Sequence, residues 1–427
     1  MRFFSYHQGV LHAEGLSLLE LAREVGTPFY CYSASAIVAH FKDYQNAFHD
    51  MPSLIAYAVK ANSNQAVLQL LANNGAGADV VSEGELRRAL AVGIPAQNIV
   101  YSGVGKTVRE IDFALAQDIY CFNVESEPEL EQLSARAAAL SKTARISLRI
   151  NPDVDAKTHK KITTGKSENK FGIPLSLAGD AYKKAAQLPG LHVCGVDLHI
   201  GSQICDLKPF EDAFVIVADF VRQLWNNGYA ITHIDIGGGL GIPYGYYEQH
   251  PVPSPFEYAA LVKKHIAPLG INIILEPGRS IVGEAGVLVT SVVYLKKGEG
   301  RNFVIVDAAM NDFMRPTLYD AWQNVMPVKK TPVDAPLINA DIVGPICETG
   351  DYLGLERSLP VLKAGDVLML TGAGAYGAVM ASTYNSRLLV PEVLVQDTRY
   401  AVIRPRLDYA QLIGCDHIPD WIEPKLD

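Results

Sequence analysis

The sequence predicts an α/β protein in which a (β/α)8 barrel is followed by a β-rich domain. From Ala34 to about Pro277, short β-rich runs alternate with longer amphipathic runs, which is typical of β/α units around a parallel sheet. After about Ile281 the helical pattern stops, and strand-like runs are separated by Gly, Pro and Asp turns. We therefore place the barrel at residues 34–281 and the β-rich domain after it.

The barrel segment contains eight candidate strands. Eight β/α units in about 240 residues match the usual barrel size of about 250 residues, and an open doubly wound sheet is the alternative. Of the amphipathic runs between the strands, Phe210 to Trp225 is the clearest, because its apolar residues recur at spacings of three and four. The candidate strands are Leu54–Lys60, Ala78–Ser82, Asn98–Ser102, Ile119–Val124, Arg145–Ile150, Val193–Ile200, Thr232–Ile236 and Asn272–Glu276.

Strand patterns also flank the barrel on both sides. Thr27 to Tyr32 reads as a strand, and Met326 to Pro336, with three prolines, reads as a loop. The candidate strands of the β-rich domain are Val287–Leu295, Phe303–Val306, Ile338–Val343, Val367–Leu370, Leu388–Val395 and Tyr400–Arg404.

The composition is that of an ordinary globular protein. Of its 427 residues 49% are hydrophobic and 19% charged, and the length favours two domains. The net charge of -9 argues against nucleic acid or an anionic membrane as the main partner. The N-terminus has no apolar signal region and no stretch reaches eighteen apolar residues, so we expect a cytoplasmic protein.

The cysteines lack the spacing of a disulfide framework or a zinc site. No two of the six form a C-x-x-C pair, so we expect no metal and mostly buried thiols. They are Cys31, Cys121, Cys194, Cys205, Cys347 and Cys415.

Lys60 is the first candidate functional residue. In Leu54 to Asn62, LIAYAVKAN, the alternation places Lys60 on the same face as Ala56 and Ala58. An amine among apolar groups loses solvation for its charged form, so its pKa is expected to fall and the free amine can attack a carbonyl. These are the requirements for a Schiff-base lysine. The alternative is a lysine that reaches solvent or pairs with an acid.

Three consecutive glycines follow the seventh candidate strand. The run Ile234 to Gly241, IDIGGGLG, lies where this barrel usually binds phosphate, and glycine lets backbone amides turn toward an anion. A flexible turn is the alternative.

Two further strand ends carry polar groups that suit a flat, charged cofactor. At the end of strand six, DLHIGSQ, His199 can stack on a ring and Ser202 can bond a phosphate oxygen, although a lone histidine is often structural. At the end of strand eight, LEPGR, Glu276 can hold a ring nitrogen protonated and Arg279 offers a planar donor fork. An ordinary Glu276–Arg279 ion pair is the alternative.

Together these groups supply the protein's side of pyridoxal phosphate chemistry. The motifs YAVKAN, HIGSQ, GGGLG and EPGR, in this order, resemble the fold-type III pyridoxal-phosphate decarboxylases over nearly the whole chain. The resemblance implies an alanine-racemase-like barrel, with residues 1–33 joining residues 282–427 in the β-rich domain. It implies these cofactor-binding residues: Lys60, His199, Ser202, Gly237, Gly238, Gly239, Glu276, Gly278, Arg279 and Tyr376.

Three C-terminal segments resemble the diaminopimelate decarboxylase family. They are DAAMNDFMRPTLY at Asp307 to Tyr319, GPICETGD at Gly344 to Asp351, and GAYG at Gly374 to Gly377. The resemblance implies a homodimer with shared active sites, in which Cys347 of one subunit is the catalytic proton donor to the other. The substrate-binding residues that it implies are Arg279, Arg315, Tyr319, Glu348 and Tyr376.

The substrate of that family suits these side chains. One carboxylate of meso-2,6-diaminopimelate is lost as carbon dioxide and one is kept in L-lysine, so the site needs a cationic clamp for the second, which Arg279 and Arg315 can supply. The alternatives are a decarboxylase or racemase of the same fold for another amino acid, and a non-catalytic protein that binds pyridoxal phosphate.

Two positions depart from the family pattern. Glu83 stands where a second glycine is common, and residues 159–163, HKKIT, lack the usual aromatic residue of that loop. Both segments are predicted to lie near the barrel mouth, so we expect them to affect cofactor packing and not the reaction.

Overall fold

The computed structural model describes residues 3–156, 164, 169–245, 252–332 and 334–422. The chain divides into two compact units. The barrel unit comprises Ser33–Gly286 and Gly374–Val379, and the β unit comprises Met1–Tyr32, Val287–Ala373 and Met380–Asp427. Within the described ranges no helix is both long and apolar enough to cross a bilayer.

The sheet of the barrel unit is closed. Its parallel strands pair in chain order, and the circle closes where Asn272–Leu275 pairs with Ser53–Ala58. Closure excludes the open doubly wound sheet, so the predicted fold class is confirmed. The barrel strands are Ser53–Ala58, Gly77–Val80, Ile99–Tyr101, Cys121–Val124, Ala144–Asn151, Leu191–Asp197, His233–Asp235 and Asn272–Leu275, with the short Ile173–Pro174 added beside Ala144–Asn151.

Amphipathic helices connect these strands. The longest, Lys208–Asn226, buries its apolar stripe as the spacing of Phe210, Phe214 and Val217 predicts. A capping box of Thr107 and Glu110 begins the helix at Val108. The helices of this unit are Ala34–Ala47, Gln65–Ala72, Glu83–Ala91, Val108–Gln117, Glu127–Ala139, Leu175–Gln187, Lys208–Asn226, Pro255–His265 and Arg279–Val282, with 3₁₀ turns at Val59–Ala61, Ala96–Asn98 and Ala267–Leu269.

Six of the eight predicted barrel strands end one to three residues earlier than the sequence predicts, and two of these differences affect candidate site residues. The strand before Lys60 stops at Ala58, and Lys60 lies in the 3₁₀ turn Val59–Ala61. The strand before His199 stops at Asp197. Apolar alternation continued past the last ladder pairs, which is why it did not reveal the strand ends.

The β unit is built around one large sheet. Phe29–Ser33 lies between the C-terminal strands Gly286–Lys297 and Glu392–Gln396. The predicted loop at Met326–Pro336 begins with a short strand that pairs with Val367–Leu370. The sheet strands are Phe29–Ser33, Gly286–Lys297, Asn302–Val306, Val325–Pro327, Leu337–Val343, Tyr352–Pro360, Val367–Leu370, Glu392–Gln396 and Arg399–Arg404. The remaining elements are the three-stranded sheet Phe4–His7, Val10–Ala13 and Leu16–Ser17, the helices Leu18–Val25, Arg315–Tyr319 and Tyr409–Ile413, and the 3₁₀ turn Tyr384–Ser386.

Two buried cysteines lie beside a histidine in the barrel core. The ligand atoms of Cys121, Cys194 and His233 lie within 4.8 Å of one another. Ser147 Oγ lies 3.2 Å from Cys121 Sγ and 2.7 Å from His233 Nε2, at hydrogen-bonding distance from both. We interpret the group as a hydrogen-bonded core cluster that holds four barrel strands together.

Candidate active site

Lys60 is paired with a buried carboxylate. Its Nζ donates a hydrogen bond of 2.8 Å to Oδ2 of Asp79, which lies on the neighbouring strand. The Asp79 side chain is fully buried, whereas 35% of the Lys60 side chain is exposed. The alternative in which Lys60 pairs with an acid is therefore what the structure shows.

The pKa of Lys60 does not fall as the sequence suggested. Burial lowers the pKa of the amine, but the charge of Asp79 and its hydrogen bond outweigh burial, so that the pKa of Lys60 is raised. The expected low pKa was wrong because Asp79 was not recognised as the partner of Lys60. Asp79 thus holds Lys60 as an ammonium group, and Lys60 must lose a proton before it attacks a carbonyl.

Two lysines line the same cleft, which has a volume of about 460 Å³. Lys106 Nζ donates to the carbonyl oxygens of Gly103 and Asn123 at 2.9 and 2.7 Å, and to Glu129 Oε1 at 2.7 Å. All three of its protons are thus engaged. Lys60 is therefore the amine of this cleft that is available to a carbonyl.

Both sides of the turn that carries Lys60 are closely packed. A Cβ at Gly278 would lie 2.9 Å from Ala61 Cβ, so a larger residue would displace the turn. The backbone amide of Tyr376 donates to the Ala61 carbonyl at 2.8 Å. These contacts fix the backbone from which Lys60 projects.

His199 presents a neutral ring to the cleft. Its Nδ1 accepts a hydrogen bond of 3.2 Å from the Gly238 amide, which assigns the ring proton to Nε2. Burial, and the positive charges of Arg149 and Lys60, lower the pKa of His199. A neutral imidazole can stack on a flat ring without adding charge to the site.

The glycine loop approaches neighbouring backbone too closely for a side chain. A Cβ at Gly238 would lie 2.2 Å from the Glu276 carbonyl oxygen, and one at Gly239 would lie 2.4 Å from that of Gly201. At Gly237 the φ of +65° is also left-handed. The loop therefore requires glycine at these positions for close packing. The alternative of a merely flexible turn does not explain that requirement.

The Glu276 carboxyl group is buried among other carboxyl groups. Its Oε1 accepts hydrogen bonds from Ser102 Oγ at 3.1 Å and Asn123 Nδ2 at 3.4 Å. Burial, together with the charges of Asp235 and Asp79, raises the pKa of Glu276 well above its ordinary value. Burial also raises the pKa of Asp235, to about 6. Glu276 thus holds a proton that a ring nitrogen can receive.

Arg279 lies in a group of hydroxyls and an aromatic ring. Its guanidinium group donates a hydrogen bond of 2.6 Å to the Tyr244 hydroxyl and one of 3.0 Å to Ser202 Oγ. Its guanidinium carbon lies 4.7 Å from the centre of the Tyr376 ring. The structure thus brings together Ser202, Arg279 and Tyr376, three of the residues that the resemblance implied.

The remaining four candidates lie in the β unit. Arg315 is buried at the start of the helix Arg315–Tyr319, and Tyr319 ends that helix half-buried. Cys347 and Glu348 are exposed, and the Cys347 amide donates to Asn385 Oδ1 at 2.9 Å.

The sequence reading missed Asp79 and Asp235 as site residues. Each is an isolated aspartate inside an apolar strand run, ADVV and HIDI, and each is fully buried. An acid that interrupts an apolar strand near its carboxyl end was the signal that could have found both.

The departure at Glu83 has a structural explanation. Glu83 begins the helix Glu83–Ala91 and forms ion pairs with Arg87 at 2.7 Å and Arg109 at 2.9 Å. Its carboxylate is thus committed to these arginines. The other departure, at residues 159–163, lies outside the described residues.

The residues present fit pyridoxal phosphate. An available amine, a loop that admits only glycine and a protonated buried carboxyl match the aldehyde, the phosphate and the ring nitrogen of that cofactor. Residues 34–283 match the family described as "Pyridoxal-dependent decarboxylase, pyridoxal binding domain". The fold and site therefore define a pyridoxal-dependent decarboxylase.

Relatives narrow the assignment. The diaminopimelate decarboxylase of Neisseria meningitidis serogroup A is 49% identical over 93% of this chain and 96% of its own. That of Aquifex aeolicus is 45% identical over 100% of this chain and 98% of its own. The crystal structure of the Helicobacter pylori enzyme complexed with L-lysine is 43% identical with a TM-score of 0.89, and it covers 93% of this chain and 98% of that one. The chain belongs to the diaminopimelate decarboxylase family.

Proposed function

We propose that this chain decarboxylates meso-2,6-diaminopimelate to L-lysine and carbon dioxide, the last step of lysine biosynthesis, with pyridoxal phosphate as cofactor. The observation that carries the proposal is Lys60, paired with Asp79 at 2.8 Å in a cleft that also contains the protonated Glu276. The family of the chain supports the choice of substrate. We also infer that the protein works in the cytoplasm.

The residues of the barrel unit divide the chemistry between them. Bound pyridoxal phosphate supplies an electron sink for the bond that loses carbon dioxide. Lys60 would hold the cofactor through its amine, and Asp79 orients that amine by its 2.8 Å hydrogen bond. Glu276 would hold the ring nitrogen in its protonated form, which would keep the ring electron-poor. His199, neutral and buried, covers the ring face and excludes water.

The phosphate end requires donors that do not compete with the reacting centre. We infer that the loop of Gly237, Gly238 and Gly239 lets the phosphate approach the backbone closely, and that Ser202 and Gly278 complete its site. Because these groups carry no ionisable proton, they hold the cofactor without taking part in proton transfer.

The substrate carries a second carboxylate and a second amine away from the reacting carbon. We infer that Arg279, Arg315 and Tyr319 bind the distal carboxylate and that Glu348 binds the distal ammonium. The bidentate geometry of arginine suits a carboxylate, and a substrate without that group leaves the guanidinium unpaired. Tyr376, beside Arg279, lies between substrate and phosphate in this proposal.

The proton that replaces the lost carboxylate needs a donor. We infer that Cys347 supplies it, and that Cys347 and Glu348 act in the active site of a partner subunit, so that the working enzyme is a homodimer. The exposure of both side chains in this chain is consistent with contact to a second copy.

A substrate panel tests the proposal. Purified protein with added pyridoxal phosphate is offered meso-diaminopimelate, L-lysine, L-ornithine and L-arginine in parallel, and released carbon dioxide is measured. We expect release from meso-diaminopimelate alone, with L-lysine as the product. Release from one of the other three would overturn the substrate assignment, and release from none would favour a racemase or a non-catalytic protein.

A further inference from the structure

A single buried carboxylate connects the glycine loop to Glu276. Asp235 is the last residue of the strand His233–Asp235 and is fully buried. Its Oδ1 accepts the Gly237 amide at 2.9 Å, and its Oδ2 accepts Asn123 Nδ2 at 3.1 Å. Each oxygen therefore binds a different part of the site.

Both contacts of Asp235 continue to Glu276. On one side, the Gly237 carbonyl accepts the backbone amide of Glu276 at 2.8 Å. On the other, Asn123 Nδ2 lies 3.4 Å from Glu276 Oε1. The Glu276 side chain also hydrogen-bonds Asp235 directly. Asp235 is thus connected to both the backbone and the carboxyl group of Glu276.

We propose that Asp235 is a positioning residue that holds the glycine loop and the Glu276 carboxyl group in register for the phosphate and the ring nitrogen of one cofactor. The inference rests on the proposed function, because it assumes that Glu276 faces that ring nitrogen. Asp235 does not contact the reacting atoms, and it acts through Gly237, Asn123 and the Glu276 side chain.

The charge of Asp235 has a second effect on Glu276. Two buried carboxyl groups that share a hydrogen-bonded amide disfavour double ionisation, so the proton stays on Glu276 while Asp235 accepts two N–H donors. Asp235 thereby keeps the Glu276 carboxyl group protonated, as its role beside the ring nitrogen requires.

Asp197 provides a matched control. It lies opposite Asp235 in the register of neighbouring strands, and it is also buried. Like Asp235 and Asp79, it raises the pKa of Glu276, although burial, Asp235 and Asp79 each contribute more. Its Oδ1 has no partner in the described part of the chain. Asp197→Asn therefore removes a buried carboxyl group near Glu276 and leaves the contacts of Gly237 and Asn123 intact.

The test compares Asp235→Asn with Asp197→Asn in the full-length protein. Asparagine has one acceptor oxygen where Asp235 has two, so Asp235→Asn loses either the Gly237 contact or the Asn123 contact. We expect the dissociation constant of the apoenzyme for pyridoxal phosphate to rise about 10- to 100-fold, the range for partners that orient a binding group. Asp197→Asn should change it by less than about threefold. In turnover, kcat should fall with KM unchanged, since Glu276 is displaced and the substrate contacts are not.

Equal effects of the two substitutions would overturn the proposal, because the loss of any buried carboxyl group near Glu276 would then account for them. If Asp235→Asn does not fold, Asn123→Ala breaks the same link from the other side and should weaken cofactor binding equally. Where both variants fold, the Asp235→Asn/Asn123→Ala double variant should bind pyridoxal phosphate no more weakly than the weaker single variant. Additive losses of affinity would show that the two residues act independently and would contradict the proposal. Cofactor affinity is measured without substrate, so failure of the diaminopimelate assignment leaves this test intact.

Discussion

A methyl group added at Gly238 should disturb both the stability and the cofactor affinity of the protein. The Cβ of Gly238→Ala would lie 2.2 Å from the Glu276 carbonyl oxygen, where real Cβ atoms keep at least 3.0 Å. The two backbone segments must therefore separate by about 0.8 Å. Overpacking of this kind costs about 1–3 kcal/mol, which corresponds to a fall of about 2–12 °C in Tm for a unit of this size.

The separation also moves the residue that faces the ring nitrogen. Because the clash is with Glu276 itself, the cofactor should bind more weakly in addition to the loss of Tm. Thermal unfolding of the apoenzyme, followed by circular dichroism, gives the Tm. Titration of the apoenzyme with pyridoxal phosphate gives the cofactor affinity.

Gly179→Ala is the matched control. Gly179 lies inside the helix Leu175–Gln187, and a Cβ there would meet no atom within 4 Å. Alanine is the better helix former by about 0.5–1 kcal/mol, so this variant should gain Tm and keep its cofactor affinity. The reasoning is refuted if Gly238→Ala matches the wild type in both Tm and affinity.

Three further substitutions test individual roles. Glu276→Gln should retain the cofactor but lower kcat by about 10²- to 10⁴-fold, since it has no proton to give; a wild-type kcat would remove Glu276 from the mechanism. Asp79→Asn should lower the pKa of Lys60, so cofactor attachment to the apoenzyme, followed by visible absorbance, should reach half-maximum at a lower pH; an unchanged midpoint would contradict the pairing. Separately inactive Lys60→Ala and Cys347→Ala proteins should regain partial activity when subunits exchange, and no recovery would count against shared sites.

The barrel was predictable from sequence because its signals are local. Alternation within runs such as Leu191–Asp197, and the apolar stripe of Lys208–Asn226, are set by nearest neighbours and by one buried face. The strand Tyr352–Pro360 was not predicted, because its exposed positions mix polar and apolar residues and show no clear alternation.

The site was predictable only in part, because motifs name residues and not their partners. The glycines at 237–239 and the carboxyl group of Glu276 could be predicted because they lie at the ends of candidate strands. The structure places them within one hydrogen-bonded group. The pKa of Lys60 depends on Asp79, which is 19 residues away in sequence and pairs only after two strands align. Local apolar character therefore predicted the wrong direction of shift.

The covalent attachment point of the cofactor tests the account most directly. The protein loaded with pyridoxal phosphate is reduced with borohydride, digested and analysed by mass spectrometry. The cofactor mass should appear on the peptide that contains Lys60 and not on the peptide that contains Lys106, the other lysine of the cleft. Label on Lys106, or on neither, would contradict the assignment of Lys60 as the residue around which the site is built.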